Sequence, residues 1–204
     1  MIVSVDVTIV ESESSEFPQL FRNGTVSAPI PRIWTIGNLK ILERRLLGFF
    51  CSTKCPGDAI LQTYDLVRAL RDAGVAVIGG SHSSMEKECL DLLLRGNQPI
   101  VICPARSIER MRLPVAWRKP LVEDWLLVLS PFEAKHRRAT TDLAESRNRF
   151  IAALADEIFV THAATGSKTE RFCRELLNEG KRVLTLQAYQ NRHLLEAGVG
   201  VFSL

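Results

Sequence analysis

The stretch at residues 144–170, AESRNRFIAALADEIFVTHAATGSKTE, constrains the fold of this chain more than any other. Its apolar residues Ile151, Leu154 and Ala155 recur at helical spacing, and EIFV at 157–160 is a short run of strand-forming residues. A turn then leads into another helix. The order predicts one helix-strand-turn-helix unit of an α/β sheet. Such a turn can bind an anion, because the free N–H groups and the dipole of a helix start converge there.

Other apolar runs predict the remaining strands of the sheet. The run LLGFFCS at 46–52 precedes an amphipathic helix over 59–73, and VAVIGG at 75–80 completes one β-α-β unit. Further runs predict strands at 99–104, 124–132 and 181–186. The expected fold class is α/β, a Rossmann-like three-layer α/β/α sandwich with a mostly parallel sheet. In such a sheet the turns after the carboxyl ends of the strands line the ligand crevice.

The amino-terminal part differs from the rest in charge and regularity. VSVDVTIV at 3–10 alternates apolar and polar residues and predicts a strand, which a Ser/Glu-rich linker follows. The first 21 residues contain acidic residues but no Lys or Arg, so a chain of net charge +3 has a more basic body, which suits a phosphate-bearing partner. Residues 17–46 hold three prolines and look like an approach to the core. We expect an N-terminal strand and linker extension at 1–30 and one Rossmann-like domain at 31–204.

Composition narrows the class of protein. The 204 residues are 46% hydrophobic, which is enough for the core of one domain. No apolar run approaches the roughly 18 residues that cross a bilayer, so we expect a cytoplasmic protein without a membrane partner. The five cysteines are expected to be reduced. Cys51 and Cys55 lack a second Cys pair or a nearby His to complete a zinc set, so we expect neither a metal nor a cofactor.

The turn after VAVIGG combines glycines and serines immediately before a predicted helix. Glycine lets the backbone approach a ligand and serine can donate hydrogen bonds, so this turn is a candidate phosphate cradle. An ordinary N-capped turn explains the same residues. The imidazole in this turn either binds a phosphate or shuttles a proton, or it belongs to a surface histidine in a polar loop. The candidates are Gly79, Gly80, Ser81, His82, Ser83 and Ser84.

Several segments, in the right order, resemble the DNA-processing protein A family (DprA, also called Smf). RNRFIAALA at 147–155 matches the family's R-N-R-I-I-x-x-L-S segment almost letter for letter, and TGS at 165–167 corresponds to its S-G-S turn. HLLEAGV at 193–199 resembles its N-L-I-x-x-G-A tail. CSTK at 51–54 replaces its V-G-S-R turn, where Lys54 keeps the charge of the family's arginine but loses its bidentate geometry.

The resemblance implies a protein of DNA uptake and recombination that binds single-stranded DNA or a nucleotide phosphate without catalysis. Basic residues would neutralise phosphates, and turn residues would offer backbone donors and room for close approach. A homo-oligomer, such as a homodimer, and a recombination-protein partner are also implied. The implied binding residues outside the 79–84 turn are Lys54, Arg147, Asn148, Arg149, Thr165, Gly166 and Ser167.

The wider superfamily suggests an enzyme as the alternative. In the lonely-guy (LOG) phosphoribohydrolases the catalytic arginine falls on Arg147, and the P-G-G-x-G-T-x-x-E motif ends on Glu170. These two residues would then release a base from a nucleoside 5'-monophosphate, with the carboxylate stabilising an oxocarbenium-like transition state. The simpler interpretation of Glu170 is an acid in the first turn of a helix. A scaffold for another protein, joined through the 3–10 strand, is a third hypothesis, and the sequence leaves the three open.

Overall fold

A computed structural model describes residues 6–18, 30–52 and 55–204 of the chain. The strands are β1 (Thr8–Glu11), β2 (Arg32–Gly37), β3 (Leu46–Phe50), β4 (Ala76–Gly79), β5 (Ile100–Ile102), β6 (Leu126–Ser130), β7 (Glu157–Val160), β8 (Arg182–Thr185) and β9 (Gly200–Val201). The α-helices are α1 (Gly57–Asp72), α2 (Ser84–Leu93), α3 (Val115–Val122), α4 (Thr141–Leu154), α5 (Lys168–Asn178) and α6 (Arg192–Glu196). Short 3-10 helices occupy Leu39–Glu43 and Tyr189–Asn191.

All nine strands belong to one sheet with the order β1-β2-β6-β5-β4-β3-β7-β8-β9. The first strand of the parallel region in the sequence, β3, pairs with β4 on one side and with β7 on the other. From β4 the parallel strands continue through β5 to β6, and from β7 they continue through β8 to β9. The strand order therefore reverses between β3 and β7, which is where open α/β sheets form their ligand crevice.

The central strand shows why the sheet is covered on both faces. All five residues of β3 are buried. Leu46 and Phe50 pack into the apolar cluster that includes α4 and α5, while Leu47 and Phe49 pack into the cluster that includes α1 and α2. A strand buried on both sides needs apolar residues at every position, which explains the continuous run in the sequence. The three-layer α/β/α class expected from the sequence is confirmed.

Two strands were not expected. The segment interpreted as an irregular approach contains β2, whose Ile33, Trp34 and Ile36 are buried and which pairs antiparallel with β6. Pro31 lies directly before this strand. Proline is uncommon within sheets, so its presence made the segment resemble a loop in the sequence. β9 adds a parallel strand beyond β8, where a tail was expected.

The amino-terminal segment joins the same sheet. β1 pairs antiparallel with β2 at the sheet edge, in the register Thr8 to Thr35 and Glu11 to Arg32. The predicted strand at 3–10 thus overlaps β1 in its described part. The proposed boundary at residue 30 stays a prediction.

The starts of α2 and α5 share one capping device, Ser-x-x-Glu. At α2, the Ser83 hydroxyl accepts from the Glu86 N–H (3.1 Å), and the Glu86 carboxylate accepts from the Ser83 N–H (3.3 Å). At α5, the Ser167 hydroxyl accepts from the Glu170 N–H (3.1 Å), and the Glu170 carboxylate accepts from the Gly166 N–H (2.6 Å). Both glutamates are buried, so some of the free N–H groups at each helix start are satisfied from within the chain.

Within the described residues, none of the helices combines the length and apolar character needed to cross a bilayer.

The cap of α5 makes stability depend on pH. Hydrogen bonds from Arg174 and from the Gly166 N–H hold the pKa of the Glu170 carboxyl below its ordinary value. A carboxylate with a depressed pKa stabilises the fold above its ordinary pKa of 4.5, and this stabilisation is lost as the pH falls below that value. Glu170→Gln should therefore lower the free energy of unfolding by about 1 kcal/mol at neutral pH, and the deficit should shrink toward about pH 3.5.

Urea unfolding of both proteins at the two pH values measures this difference. Glu43→Gln serves as the control, because Glu43 is an exposed carboxylate in a 3-10 helix and should change little at either pH. A Glu170→Gln deficit of equal size at both pH values would contradict the role of the charged carboxylate.

Candidate functional site

A cleft of about 880 Å³ opens at the point where the strand order reverses. Its walls come from the residues that follow β3, from the start of α2, from α4 and from the start of α5. β3 and β7 stay paired up to the cleft, since the Thr161 N–H donates to the Phe50 carbonyl (3.0 Å) and the Ser52 N–H donates to the His162 carbonyl (3.2 Å). The cleft therefore rests on the rigid end of the sheet.

Arg147 is the buried basic residue of this cleft. It lies on the inner side of α4 and is only 3% exposed. Its Nη1 donates to the Cys103 carbonyl (3.1 Å) just after β5, and its Nε donates to the Asn148 Oδ1 (2.8 Å). A Cβ added to Gly80 would lie 1.5 Å from the Arg147 Nη1, so the glycine after β4 makes room for the guanidinium. Arg147 thus ties α4 to the ends of β4 and β5.

A carboxylate offsets the buried charge. Burial lowers the pKa of Arg147, and the neighbouring Glu86 acts in the opposite direction. The Glu86 carboxylate also accepts from the Cys51 N–H (3.2 Å) after β3 and from the His82 N–H (2.7 Å) after β4. A buried cation beside a buried, fully hydrogen-bonded carboxylate is a stable arrangement, whereas either group alone would be costly. Together the two residues hold the inner end of the cleft.

Exposed cations line the outer part of the cleft. Arg149 on α4 pairs with Glu175 on α5 (2.6 Å), and Lys168 on α5 pairs with Glu145 on α4 (2.6 Å). Arg171 is exposed, and no salt bridge to it is found among the described residues. A hydrogen bond from Lys168 lowers the pKa of the Glu145 carboxyl, and the charges of Arg171 and Arg149 act in the same direction. The rim therefore carries a local excess of positive charge.

The cleft also offers hydroxyl and aromatic groups. The Ser52 and Thr169 hydroxyls lie 3.4 Å apart, and Thr140 and Thr141 also line the cleft. Phe172 on α5 is half-buried and packs edge-on against Phe50, with ring centroids 5.4 Å apart. The site thus combines cations, hydrogen-bonding groups and an aromatic face.

The structure brings together some of the residues expected from the sequence. The cleft is lined by His82, Ser83, Arg147, Asn148, Arg149 and Ser167. Gly79 and Ser81 instead line a separate cavity of about 20 Å³, and Gly80 contacts Arg147. Ser84, Thr165 and Gly166 are exposed and are not part of the cleft lining, and Lys54 lies outside the described residues. His82 is exposed at the cleft edge.

Sequence reasoning missed Lys168 and Arg171. Their spacing of three residues places them on the same face of α5, which is the signal that could have found them. Each is an ordinary cation on an amphipathic helix until the packing of α4 against α5 is known.

The arrangement of Glu170 does not favour the hydrolase alternative. Its carboxylate accepts from Arg174 (2.8 Å) and from the Gly166 N–H (2.6 Å), and it is not part of the cleft lining. A carboxylate that stabilises a ribose cation must face the substrate. Glu170 is committed to the cap of its own helix, as in the simpler interpretation.

Residues 6–18, 30–52 and 55–204 contain no group of three or more His, Cys, Asp or Glu residues that could hold a metal ion. The five cysteines are free thiols.

Solved structures share this fold. DNA processing protein A (DprA) from Streptococcus pneumoniae matches at 16% identity and a TM-score of 0.79, covering 97% of this chain and 71% of that chain. DNA processing protein A from Helicobacter pylori, solved in a study of its single-stranded DNA binding mode, also matches. The identity is 17% and the TM-score 0.77, and the match covers 98% of this chain and 93% of that chain. The molybdenum cofactor carrier protein from Chlamydomonas reinhardtii is more distant, at 14% identity and a TM-score of 0.52, covering 78% and 91%.

The sequence itself decides the family. No curated protein matches it significantly. Residues 8–198, in contrast, match the model of the DNA recombination-mediator protein A family. The matched region extends from β1 to just beyond α6. This match confirms the resemblance found in the segments around Arg147 and Gly166, and the chain belongs to the DNA recombination-mediator protein A family.

Proposed function

We propose that this protein binds single-stranded DNA in the cleft between α4 and α5, with the exposed cations of the rim neutralising phosphates. The main support for this proposal is that Arg149, Lys168 and Arg171 line the cleft at the point where the strand order of the sheet reverses. Family membership supports the proposal, as does the related Helicobacter pylori protein, which is described as binding single-stranded DNA.

The ion pairs across the cleft favour exchange with phosphates. Lys168 and Glu145 are each more than half exposed, and Arg149 and Glu175 are nearly so. Exposed pairs of this kind contribute only about 0–1 kcal/mol, so an incoming phosphate can replace a carboxylate at little cost. Arg171 requires no such replacement. A strand that places several phosphates along α5 therefore gains several contacts at once.

The aromatic ring of Phe172 favours the binding of single-stranded DNA over double-stranded DNA. Phe172 is half-buried beside Phe50 and lines the cleft next to Arg171. A base can stack on such a ring only when it is not paired within a double helix. Stacking of this kind contributes about 1–3 kcal/mol per base and tolerates any sequence.

The two capping glutamates determine which groups contact the phosphates. Glu86 and Glu170 already accept hydrogen bonds from backbone N–H groups of the turns before α2 and α5. In our proposal the phosphates therefore contact mainly side chains, together with the backbone N–H groups of Lys168 and Thr169. These two N–H groups lie in the first turn of α5, where backbone N–H groups have no acceptor within the helix.

Three further expectations stay predictions. They are a homodimer, a recombination-protein partner and a cytoplasmic location.

Binding should weaken steeply with salt. Each neutralised phosphate of a single strand contributes about 0.7 to the slope of log affinity against log salt concentration, so three contacts predict a slope of about −2. Fluorescence anisotropy with a labelled oligonucleotide over a range of salt concentrations measures this slope. Absent or salt-independent binding would contradict the proposal, and chromatography of nucleoside monophosphates after incubation should detect no free base.

Charge variants in and outside the cleft should behave differently. Lys168→Ala should weaken binding by about fivefold, because a screened charge pair contributes up to about 1 kcal/mol, and should reduce the salt slope by about 0.7. Arg182→Ala is the matched control, since Arg182 pairs with Glu157 at the amino ends of the strands. Equal losses in the two variants would indicate a general charge effect.

The partner carboxylate allows the reverse test. Glu145→Gln frees Lys168 from its ion pair and should tighten binding, whereas Glu43→Gln removes the same charge before the amino end of β3. No gain from Glu145→Gln relative to Glu43→Gln would count against the exchange of carboxylates for phosphates.

Gly80→Ala separates a structural role of this turn from phosphate contact. The added methyl group would displace the Arg147 guanidinium from the Cys103 carbonyl, so the free energy of unfolding should fall by about 2 kcal/mol. Gly57→Ala is the control, because no atom lies within 4 Å of its added Cβ. Unchanged stability in urea together with lost DNA binding would instead assign Gly80 to direct phosphate contact.

A further inference from the structure

Two loops at the carboxyl edge of the sheet carry an excess of positive charge. Residues 103–114 follow β5, and residues 131–140 follow the neighbouring strand, β6. Each loop contains three Lys or Arg residues and one carboxylate, so the two loops together carry a net charge of +4, whereas the whole chain carries +3. None of these six cations lines the cleft between α4 and α5. The proposed function therefore leaves them without a role.

Hydrogen bonds hold the two loops side by side. The Ser107 N–H donates to the His136 carbonyl (2.8 Å), and the Ser130 hydroxyl donates to the Arg106 carbonyl (2.9 Å). The first of these bonds joins the peptide unit that follows Arg106 to the peptide unit that precedes Arg137. Ser107 and Ser130 are buried, so this junction is fixed within the fold. The side chains of Arg106 and Arg137 therefore start from adjacent points of the backbone.

The arginines at this junction are open to solvent. Arg106, Arg137 and Arg138 are all exposed. Across residues 6–18, 30–52 and 55–204, no salt bridge to any of the three is found. The carboxylate of the 131–140 loop, Glu133, is instead paired with Lys135 (2.9 Å). A phosphate can therefore bind these guanidinium groups without displacing a carboxylate, in contrast to the paired cations of the cleft.

The 131–140 loop connects this surface to the cleft. It leaves β6, passes the junction at His136 and reaches Ala139 and Thr140, which line the cleft. In the sheet, β5 and β6 are the second and third strands from β3. Neighbouring strands are about 4.8 Å apart, so the ends of β5 and β6 lie roughly 10 Å and 15 Å from the end of β3. The surface is thus next to the cleft on the same edge of the sheet.

We propose that an arginine surface, consisting of Arg106, Arg137 and Arg138, extends the binding site, so that single-stranded DNA leaving the cleft continues along the 131–140 loop toward the end of β5. This inference rests on the proposed function, since the cleft supplies the first contacts. Guanidinium groups suit the role because they bind phosphate oxygens through two N–H groups at once. Phosphate contacts carry no sequence information, so the extension raises the affinity for long strands of any sequence.

Oligonucleotides of two lengths test the extension. A labelled strand of about 6 nucleotides should occupy the cleft alone, whereas a strand of about 16 nucleotides should also reach the arginine surface, and both lengths are within the range that single-strand-binding modules cover. Fluorescence anisotropy should give a steeper salt slope for the longer strand, because more phosphates are neutralised. The slope is the informative quantity, since extra length alone offers more starting positions without adding contacts.

A double variant assigns the extra contacts to the arginine surface. Arg106→Ala/Arg137→Ala should weaken binding of the longer strand by about tenfold and reduce its salt slope by about 1.4, which corresponds to two phosphate contacts. Its affinity for the shorter strand should be unchanged. The control Arg44→Ala/Arg182→Ala removes the same charge at the amino ends of β3 and β8 and should change neither affinity. Circular dichroism should show both variants folded.

The possible failures are distinguishable. An unchanged salt slope of the Arg106→Ala/Arg137→Ala variant with the longer strand, while the unaltered protein binds both strands, would overturn the extension and leave the proposed function intact. Equal losses for the two lengths, or an equal loss in the control, would overturn it in favour of a general charge effect. If the unaltered protein binds neither strand, the proposed function itself is wrong, and the extension with it.

Discussion

The contact between Arg147 and the ends of β4 and β5 is the constraint on which the cleft depends. A guanidinium buried in the protein must find hydrogen-bond acceptors and a compensating charge, because an isolated ion there costs several kcal/mol. The Cys103 carbonyl and Asn148 provide the acceptors, and Glu86 provides the charge. Gly80 must be small because the guanidinium occupies the space of a side chain. Removing the guanidinium would leave the Cys103 carbonyl without this donor and the Glu86 carboxylate without the neighbouring cation.

Glu86 extends this constraint across the sheet. Its two oxygens accept from residues after β3 and after β4, so one carboxylate fixes the relative position of two neighbouring turns. The same residue completes the cap of α2. The inner wall of the cleft is therefore rigid, while the outer wall consists of exposed pairs between α4 and α5 that can exchange partners. In the proposed function, affinity for DNA and stability of the fold would thus depend on different residues.

The sequence predicts most of the sheet, since strands buried on both faces need continuous apolar runs such as the one at β3. It misses β2, because a proline lies directly before the strand and the surrounding segment is irregular in sequence. In the site, the sequence identifies Arg147 because its segment is distinctive. The burial of Arg147 could not be predicted, since it depends on Gly80 from another turn. Lys168 and Arg171 are missed because their importance depends on how α4 and α5 pack. Local pattern identifies elements, whereas the cleft arises from contacts between residues far apart in the chain.

The internal pairing of the rim cations has a consequence for selectivity. Because Lys168 and Arg149 already have carboxylate partners, a lone phosphate ion gains little by displacing one of them. A polymer gains at each position, since binding at one phosphate raises the effective concentration of the next. In the proposed function the rim would therefore discriminate by valency, and a free nucleotide would compete poorly with a long polyanion.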